Sequence, residues 1–448
     1  MGRWSRVGMI VVFAGALMLA SFSSAANGSP SSGSSSTALG VGVTARTVKI
    51  GVALVNFTCI EQFTNSIRVN QPQVYNAFIK YINTHGGVAG RRIVPDYQSY
   101  CPIQSAQALT LCTQFTEDAD VFAVMGDFID FSGDSQTCIA KDHKTVLLTF
   151  DLTQAIINQS PPGLIVYPGT TPERTDSVLV SLLKTEHTLK GKKIAVLGEL
   201  DSQNVVQKSV IPDLKRLGVP MGSTAILDVT GADTSAAQSQ LDSFIERWKS
   251  ENVNALYVTG TQVASQQFIE KVRQEMPRVM LITDDNASDI LGYGQQERHE
   301  GRKPNPYEGI ITAGGQTSQE YDASSNWKYC ATIYKKETGK VAPNAETVIP
   351  GPNGKTLDTY GGINDACQLL TEFQEIGQRV GKDLNNRNWV HAVDHYGPIR
   401  DVGAGQYASL HTGKYDDNDT FRLEEFDSKL GPKGDWKPLT KLVDITGS

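Results

Sequence analysis

The sequence predicts an α/β protein with two parallel sheets, each flanked by helices. Short runs rich in β-branched residues alternate with stretches of helical periodicity, and this alternation occurs in two series. A segment rich in Pro and Gly, 161–169, separates the two series and suits a crossing of the chain between two lobes. The length of 448 residues also exceeds what one hydrophobic core usually organises.

The N-terminus has the three parts of a secretory signal. Arg3 and Arg6 precede an apolar run, 7–20, and small residues follow it, so we expect cleavage after Ala25 or Ala26. The alternative is an uncleaved membrane anchor, because the run of about 14 apolar residues is short of the roughly 20 that span a bilayer. We therefore expect an exported, extracytoplasmic protein, in the periplasm, at the cell surface or secreted.

The first series of strands and helices begins at residue 48. Val48 to Leu54 is a β-branched run that predicts a strand. Gly86-Gly87 ends the helix that follows, whose apolar side chains at helical spacing are Val74, Phe78, Tyr81 and Ile82. The alternation continues with a strand over 92–97, a helix over 104–117 and strands over 121–125 and 145–149.

The second series begins with an apolar strand at 193–198. The pattern then predicts a helix near 205–217, strands at 224–227, 255–259 and 279–283 with helices between them, and a strand at 309–313. Later helices, around Cys330 and over 357–380, need a sheet to cover, and the first sheet is a candidate. The polar tail around 414–419 predicts a hairpin and surface loop.

We therefore expect a chain that crosses between two lobes more than once. A segment rich in Ser and Gly, with almost no bulky apolar side chains, predicts a flexible linker before the fold. The expected divisions are a signal peptide at 1–26, the linker at 27–45, lobe 1 at 46–167 and 318–390, and lobe 2 at 168–317 and 391–448.

The composition excludes several classes of protein. Apolar residues make up 40% and charged residues 20% of the chain, which is typical of a globular protein and not of a disordered, collagen-like or multi-span membrane chain. The formal net charge of −7 disfavours a nucleic-acid partner, which binds through phosphate neutralisation. No GxSxG, HExxH or P-loop motif occurs, so we expect no catalysis and no cofactor.

Six cysteines in an exported chain predict disulfides, and none of their spacings is typical of a zinc site. Cys330 and Cys367 lie far downstream of the others, so we expect them to pair. The remaining four allow three connectivities, and the sequence does not choose between them. The arrangement we expect pairs Cys59 with Cys101 and Cys112 with Cys138.

Two segments resemble a known family. Residues 81–93, YINTHGGVAGRRI, resemble the helix end, glycine turn and second strand of branched-chain amino-acid-binding proteins from ABC importers. Residues 190–197, KGKKIAVL, and the series that follows them resemble the second lobe of that family. The likeness covers 46–400. It implies the type I periplasmic-binding fold, in which two Rossmann-like lobes joined by a three-crossing hinge capture a ligand without covalent change.

The resemblance also implies ligand-binding positions at the carboxyl ends of the strands, where ligands of open α/β sheets gather. The family's carboxylate-binding hydroxyl falls on Asp130, and its next ligand loop falls on Asp151 and Thr153. The acid that meets the substrate ammonium falls on Asp285, and an aromatic wall of the family falls near Gln262, where this sequence departs from the family. We expect the three aspartates to make an acidic pocket that favours a cationic or hydroxyl-rich ligand.

Other candidate ligand contacts lie in the same strand-end loops: Phe57, Phe131, Thr149 and Asp201. The competing interpretations are structural. Asp130 and Asp151 suit helix N-caps equally well, and the phenylalanines suit local packing. His391, Asp394 and His395 could share a helix face and hold a metal, but Gly397-Pro398 follows at once and favours a helix end, so we expect no metal site.

The sequence therefore predicts a protein that captures a small polar solute, such as an amino acid or a related amine, amide or polyol. We expect it to deliver this solute to an ABC permease in the membrane, and to be a monomer. A ligand sensor that signals to a membrane receptor is the alternative within the same fold. A secreted hydrolase is the alternative from another class.

Overall fold

The computed structural model describes residues 38–61, 64, 66–128, 133–150, 152–200, 202–229, 235–260, 262–284, 287–403 and 405–446. The predicted signal peptide and most of the predicted linker lie outside this range. No helix of the described residues is long and apolar enough to cross a bilayer.

The strands, numbered in chain order, are β1 (Thr47–Val55), β2 (Ser66–Ile67), β3 (Arg92–Tyr100), β4 (Ala123–Gly126), β5 (Val146–Thr149), β6 (Ile165–Val166), β7 (Ile194–Glu199), β8 (Met221–Leu227), β9 (Ala255–Thr259), β10 (Met280–Thr283), β11 (Ile311–Gly314), β12 (Thr356–Leu357), β13 (Gly397–Pro398), β14 (Ser409–Leu410), β15 (Thr420–Asp427), β16 (Asp435–Pro438) and β17 (Val443–Asp444).

The helices are α1 (Phe57–Ile60), α2 (Gln71–Thr84), α3 (Ser105–Thr113), α4 (Asp134–Thr137), α5 (Gln154–Gln159), α6 (Pro172–Thr185), α7 (Gln203–Val205), α8 (Ile211–Arg216), α9 (Ser235–Ser250), α10 (Gln266–Glu275), α11 (Ala287–His299), α12 (Ser318–Ala323), α13 (Ser325–Thr338), α14 (Thr359–Val380) and α15 (Asn386–Asp394). Single π-helical turns extend α3, α4 and α7 at Gln114–Asp118, Cys138–Asp142 and Val206–Val210.

The first sheet has the strand order β3-β1-β4-β5-β6, and all of its pairs are parallel. Its central strands read as continuous apolar runs because both faces are covered: Val48, Ile50 and Val52 of β1 and Val146 to Leu148 of β5 are fully buried. The predicted face of α2 is confirmed, since Val74, Phe78 and Ile82 pack into the same core.

The second sheet has the order β16-β15-β11-β10-β9-β7-β8. Its parallel part, β7 to β11, confirms the second predicted series. β15 lies inside this sheet and pairs antiparallel with both β11 and β16. The predicted hairpin before β15 is confirmed by the antiparallel bridges Ala408–Asn418 and His411–Lys414, but the predicted surface loop was wrong. The charged residues that suggested a surface loop are buried: Lys414, Asp416, Asp417 and Asp419. Asp419 forms ion pairs with Lys414 and Arg174, and Arg174 also pairs with Asp416.

Three disulfides connect the elements around the first sheet, and all three expected pairs are confirmed. The Cα–Cα distances are 5.9 Å for Cys59–Cys101, 6.1 Å for Cys112–Cys138 and 5.8 Å for Cys330–Cys367. The first joins the ends of β1 and β3, the second joins α3 to the turn after α4, and the third joins α13 to α14.

After the strands of the second sheet, the chain returns to the first sheet. This confirms the prediction that the late helices cover that sheet. Helix α14 packs against α2, β4 and β5 and buries eleven residues, among them Leu369, Leu370 and Phe373. Side chains from Trp389 to Tyr415 belong to the same core. The exact boundaries proposed for the two lobes stay a prediction.

Candidate functional site

The carboxyl ends of β1, β4 and β5 lie side by side at one edge of the first sheet, because these neighbouring strands are parallel. Asn56 follows β1, and Asp127 and Phe128 follow β4. This edge is where open α/β sheets gather ligands. The same argument applies to the ends of β7, β9 and β10 in the second sheet, which are followed by Leu200, Gly260 and Asp284.

Arg68, the residue after β2, organises three aspartates at the edge of the first sheet. Its Nη1 lies 2.6 Å from Asp127 Oδ2 and 2.6 Å from Asp365 Oδ2, and its Nε donates to Asp358 Oδ2 at 2.7 Å. Asp358 also caps α14 by accepting from the Gly361 amide at 2.7 Å. We call these four side chains the Arg68 cluster. It contains three carboxyl groups for one guanidinium, so it carries excess negative charge.

The surroundings favour protonation of one carboxyl group in this cluster. Burial raises the pKa of the Asp365 carboxyl, whose side chain is 17% exposed, to about 7, and the charges of Asp127 and Asp358 add to the shift. Arg68 opposes these effects by favouring the ionised form. Near neutral pH Asp365 is therefore partly protonated and can donate or accept a hydrogen bond.

A cavity of about 1180 Å³ lies next to the Arg68 cluster. Its walls come from α2, from the end of α13 and from the loop that leads to α14, and include both apolar and polar side chains. Lys80 and Glu337, which form an ion pair at 2.9 Å, line it as well. All of its lining residues fall within 53–80, 127 and 334–365, so it is a cavity of the first sheet and its helices. Its volume exceeds that of a typical small-molecule pocket.

The arrangement matches solved structures over nearly the whole chain. A periplasmic binding protein type 1 from Bordetella pertussis superimposes with a TM-score of 0.60 at 13% identity, covering 88% of this chain and 100% of that one. The chain has the type I periplasmic-binding fold. No family model and no curated protein matches the sequence.

Two further structures with this fold differ in what their descriptions say they bind. An ABC transporter substrate-binding protein from Desulfitobacterium hafniense in complex with Leu has a TM-score of 0.60 and 13% identity, over 88% of this chain and 100% of that one. A fatty acid ABC transporter substrate-binding protein from Thermomonospora curvata has a TM-score of 0.59 and 18% identity, over 91% of this chain and 94% of that one. At these identities the likeness confirms the predicted fold and leaves the ligand open.

Thr149 and Thr153, two of the predicted ligand contacts, make local hydrogen bonds in this binding-protein fold. Thr149 is fully buried, donates to the Gly126 carbonyl at 2.6 Å and accepts from the Phe128 amide at 3.3 Å. Thr153 is the N-cap of α5 and accepts from the Ile156 amide at 3.3 Å. Both hydroxyls thus hold the strand-end loops, and their role as ligand contacts stays a prediction.

Phe57 and Gln262 lie at the strand ends of the two sheets. Phe57 is half-buried in α1 and packs against the first core. Gln262 is exposed, and its backbone amide donates to Glu199 Oε2 at 2.9 Å. The structure therefore gives Phe57 a packing role and leaves the Gln262 side chain at the surface. Their ligand-binding roles stay predictions.

Five other predicted site residues lie outside the described residues: Asp130, Phe131, Asp151, Asp201 and Asp285. The neighbour of Asp285 is described. Asp284 is 1% exposed at the end of β10, and its carbonyl accepts from the Thr312 hydroxyl at 3.1 Å. The residue before Asp285 thus lies in the buried interior of the second sheet.

Sequence reasoning missed the Arg68 cluster. Asp127 directly follows a predicted strand, so the rule that ligands gather at strand ends could have selected it. Asp358 precedes the long predicted helix and matches an N-cap, which indicates a structural role. Arg68 and Asp365 carry no comparable signal, because they reach the site through the packing of α14 and the loop before α2.

The predicted helix end at His391 and His395 is confirmed. Helix α15 ends at Asp394, and the two imidazole rings stack with their centroids 4.5 Å apart. Among the described residues, the grouping of potential metal ligands within reach of one another is Cys112, Cys138 and His143. Both of those cysteines are in a disulfide, which removes them as thiolate ligands.

Proposed function

We propose that this protein is an extracytoplasmic solute-binding protein of an ABC importer. The fold supports the proposal: it matches structures described as ABC transporter substrate-binding proteins over about nine-tenths of the chain. The protein would bind its solute between the two sheets and present the closed form to a membrane permease. It would act without changing the solute covalently, as a monomer outside the cytoplasm.

The proposed mechanism requires the strand ends of the two sheets to face each other across the ligand. The ligand's polar groups would meet residues after β1, β4 and β5 on one side and residues after β7, β9 and β10 on the other. Asp285 and Gln262 would approach from the second sheet, and Asp130, Asp151 and Thr153 from the first. Rotation at the hinge would close these groups around the ligand and exclude water from its hydrogen bonds.

We further propose that the solute is cationic or rich in hydroxyl groups. Three predicted contacts, Asp130, Asp151 and Asp285, are acidic. The Arg68 cluster and its cavity at the edge of the first sheet support this class, because the cluster has more carboxylates than cations. An ammonium group or several hydroxyl donors would compensate that charge, whereas a second carboxylate would add to it.

Thermal-shift screening with amino acids, polyamines, amides and polyols tests this proposal. A compound present at 100 times its dissociation constant stabilises the folded state by about 2.7 kcal/mol, which raises the melting temperature by several degrees. We expect polyamines or polyols to produce this shift. Asp285→Asn should reduce the affinity for the identified solute at least tenfold, and the exposed control Asp118→Asn should not change it.

Two outcomes would contradict the proposal in different ways. If a simple aliphatic amino acid bound tightly and Asp130→Ala did not change its affinity, the acidic site would be ruled out. The solute-binding function would still stand. If mass spectrometry detected products formed from a bound solute, the protein would be an enzyme and not a binding protein.

A further inference from the structure

Two crossings of the chain between the sheets run side by side. The segment that leaves β6 pairs with the segment that enters β15: Tyr167 donates its amide to the Tyr415 carbonyl at 2.8 Å, and Asp417 donates its amide to the Tyr167 carbonyl at 3.0 Å. Asn418 continues the ladder by donating to the Gly169 carbonyl at 2.9 Å. Because both segments run between the two sheets, we call them, 166–170 and 415–419, the hinge ladder.

Charged side chains are buried around the hinge ladder, and acids outnumber bases. The basic residues are Arg174 and Lys414. The acidic residues, each at most 7% exposed, are Glu372, Asp401, Asp416, Asp417 and Asp419. If all five acids were ionised, this interior would hold three uncompensated negative charges. Burial of unpaired charge is costly enough that groups of this kind usually change protonation state instead.

Three of the five acids have hydrogen-bond donors that stabilise a carboxylate. Asp401 accepts from the amides of Gly403 and Gly405 at 2.6 and 3.1 Å. Asp416 accepts from the Thr171 amide at 2.9 Å. Asp419 forms ion pairs with the two basic residues of this interior and accepts from Ser409. These donors favour the ionised forms of the three acids, although burial still raises the pKa of Asp401 to about 6.

Glu372 differs from these acids. It lies in the middle of α14, is 2% exposed, and neither of its carboxyl oxygens has a hydrogen-bond partner among the described residues. Asp417 Oδ1 also lacks a partner there. The charged and titratable groups that face Glu372 are Asp401, Asp417 and Lys414 near the hinge ladder, Tyr396 after α15, and Glu375 on its own helix.

Lys414 does not neutralise Glu372 by direct contact. Its Nζ donates to the carbonyls of Ser409 and Asp416 at 2.5 and 2.6 Å and lies 3.2 Å from Asp419 Oδ1. Its charge is therefore committed to the hinge ladder and to Asp419. An ionised Glu372 would face Asp401 and Asp417 without a donor of its own.

We propose that Glu372 binds a proton in the folded protein and makes the hinge ladder sensitive to pH. In the neutral form it lies next to Asp401 and Asp417 without repulsion, and the ladder is intact. In the ionised form it repels Asp401 and adds to the negative charge beside Asp417, and the ladder loosens. Burial and the neighbouring acids raise the pKa of Glu372 well above its ordinary value, in agreement with this geometry. Burial and the neighbouring acids raise the pKa of Asp417 well above its ordinary value as well.

The direction of the pH effect follows from the raised pKa. The folded protein holds a proton that the unfolded chain releases above its ordinary glutamate pKa of about 4.3. Stability from this site is therefore complete below that pH and is lost as the pH rises toward the folded pKa. One such proton lowers the folding equilibrium constant by about tenfold for each pH unit in that window.

Urea unfolding at pH 5, 6, 7 and 8 tests the proposal with Glu372→Gln, which keeps the shape and removes the titration. In the window where Glu372 releases its proton, the folding equilibrium constant of the wild type should fall with each pH unit by about tenfold more than that of the variant. Glu186→Gln, at the exposed end of α6, is the control and should keep the wild-type slope. Equal slopes for Glu372→Gln and the wild type would overturn the proposal.

A second measurement locates the effect at the hinge. In the wild type, hydrogen exchange of the Tyr167, Asp417 and Asn418 amides should accelerate between pH 6 and pH 8. The increase should exceed that expected from base catalysis of intrinsic exchange alone. In Glu372→Gln, or in Glu372→Met if the amide does not fold, the acceleration should equal the intrinsic change. Excess acceleration of the same size in both proteins would also overturn the proposal. Neither experiment requires a ligand, so both are independent of the proposed function.

Discussion

Arg68 is the residue on which the charge balance at the edge of the first sheet depends. Its guanidinium contacts Asp127, which follows β4, and Asp358 and Asp365, which lie at the start of α14. These contacts connect α14 and the loop before α2 to the end of β4. A single side chain thus joins sequence-distant acids that would otherwise repel one another at close range.

Replacement of Arg68 should cost more stability at high pH than at low pH. Arg68→Met leaves the three acids without their cation, and we expect a loss of about 2–3 kcal/mol near pH 8, below the value for a fully buried pair because these side chains are partly exposed. Asp365 has a folded pKa of about 7, above its unfolded value, and the loss of Arg68 would raise that pKa further. The variant should therefore lose stability relative to the wild type as the pH rises from about 4 to 8.

Urea unfolding of Arg68→Met at pH 5 and pH 8 measures this difference. Arg278→Met, at an exposed position before β10, is the matched control and should change stability by less than about 0.5 kcal/mol. A loss for Arg68→Met that is the same at both values of pH would show that the guanidinium does not set the charge state of Asp365.

Residue-level prediction from the sequence succeeded in part. The spacing of Cys330 and Cys367 separated them from the other cysteines and predicted their bond, whereas Cys59–Cys101 and Cys112–Cys138 are one of three connectivities that the spacing left open. The ligand contacts rest on strand ends, which the sequence locates to within a residue or two. The Arg68 cluster could not be predicted in this way, since its members meet through tertiary packing of α14.

At the scale of elements, the disulfide between Cys330 and Cys367 fixes α13 to α14. Both sulfurs are fully buried, and α14 in turn covers β4 and β5. The bond closes a loop of 37 residues that includes the 339–358 connection lining the cavity. Its removal should therefore loosen both the helix pair and one wall of that cavity.

The double variant Cys330→Ala, Cys367→Ala should lower the free energy of unfolding by about 3 kcal/mol, from the lost restriction of the unfolded chain and the lost packing of two sulfurs. Urea unfolding measures the loss, and Lys335→Ala on the exposed face of α13 is the control. Proteolysis within 339–358 should also be faster in the double variant. A loss below about 1 kcal/mol would show that packing alone holds the two helices together.

Strands with apolar sequences were predictable, and the burial of the polar tail was not. β1, β5, β7 and β9 are buried on both faces and read as β-branched runs. β15 is also buried, but its sequence begins in a charged segment whose residues are neutralised by partners elsewhere in the chain. Arg174 pairs with Asp416 and Asp419, and Arg422 pairs with Glu320 and Glu424. Local polarity indicates a surface loop when such partners are unknown.

At the scale of the whole molecule, the last fifty residues hold the two sheets together. β15 completes the second sheet between β11 and β16, and Leu423 and Phe426 are buried there. The preceding segment contributes Val402, Leu410 and Tyr415 to the core of the first sheet. This part of the chain therefore belongs to both cores, and the hinge ladder lies between its two contributions.

Two C-terminal truncations should separate this role from that of the terminal strand. A chain that stops after Tyr396 lacks β13 to β17, leaves β11 as an open edge and removes apolar side chains from both cores, so we expect no single cooperative unfolding transition. A chain that stops after Thr440 loses β17, which pairs with β15 through Thr420 and Phe421, and should lose about 1 kcal/mol.

Urea unfolding followed by circular dichroism, together with size-exclusion chromatography, distinguishes the two truncated proteins. The longer one should elute as the full chain does and unfold in one transition, whereas the shorter one should aggregate or unfold gradually. Cooperative unfolding of the chain that ends at Tyr396 would mean that the parallel strands β7 to β11 form a stable sheet without β15. The tail would then be an addition to a complete fold, and the buried charges around the hinge ladder would serve the coupling between the sheets and not the stability of either one.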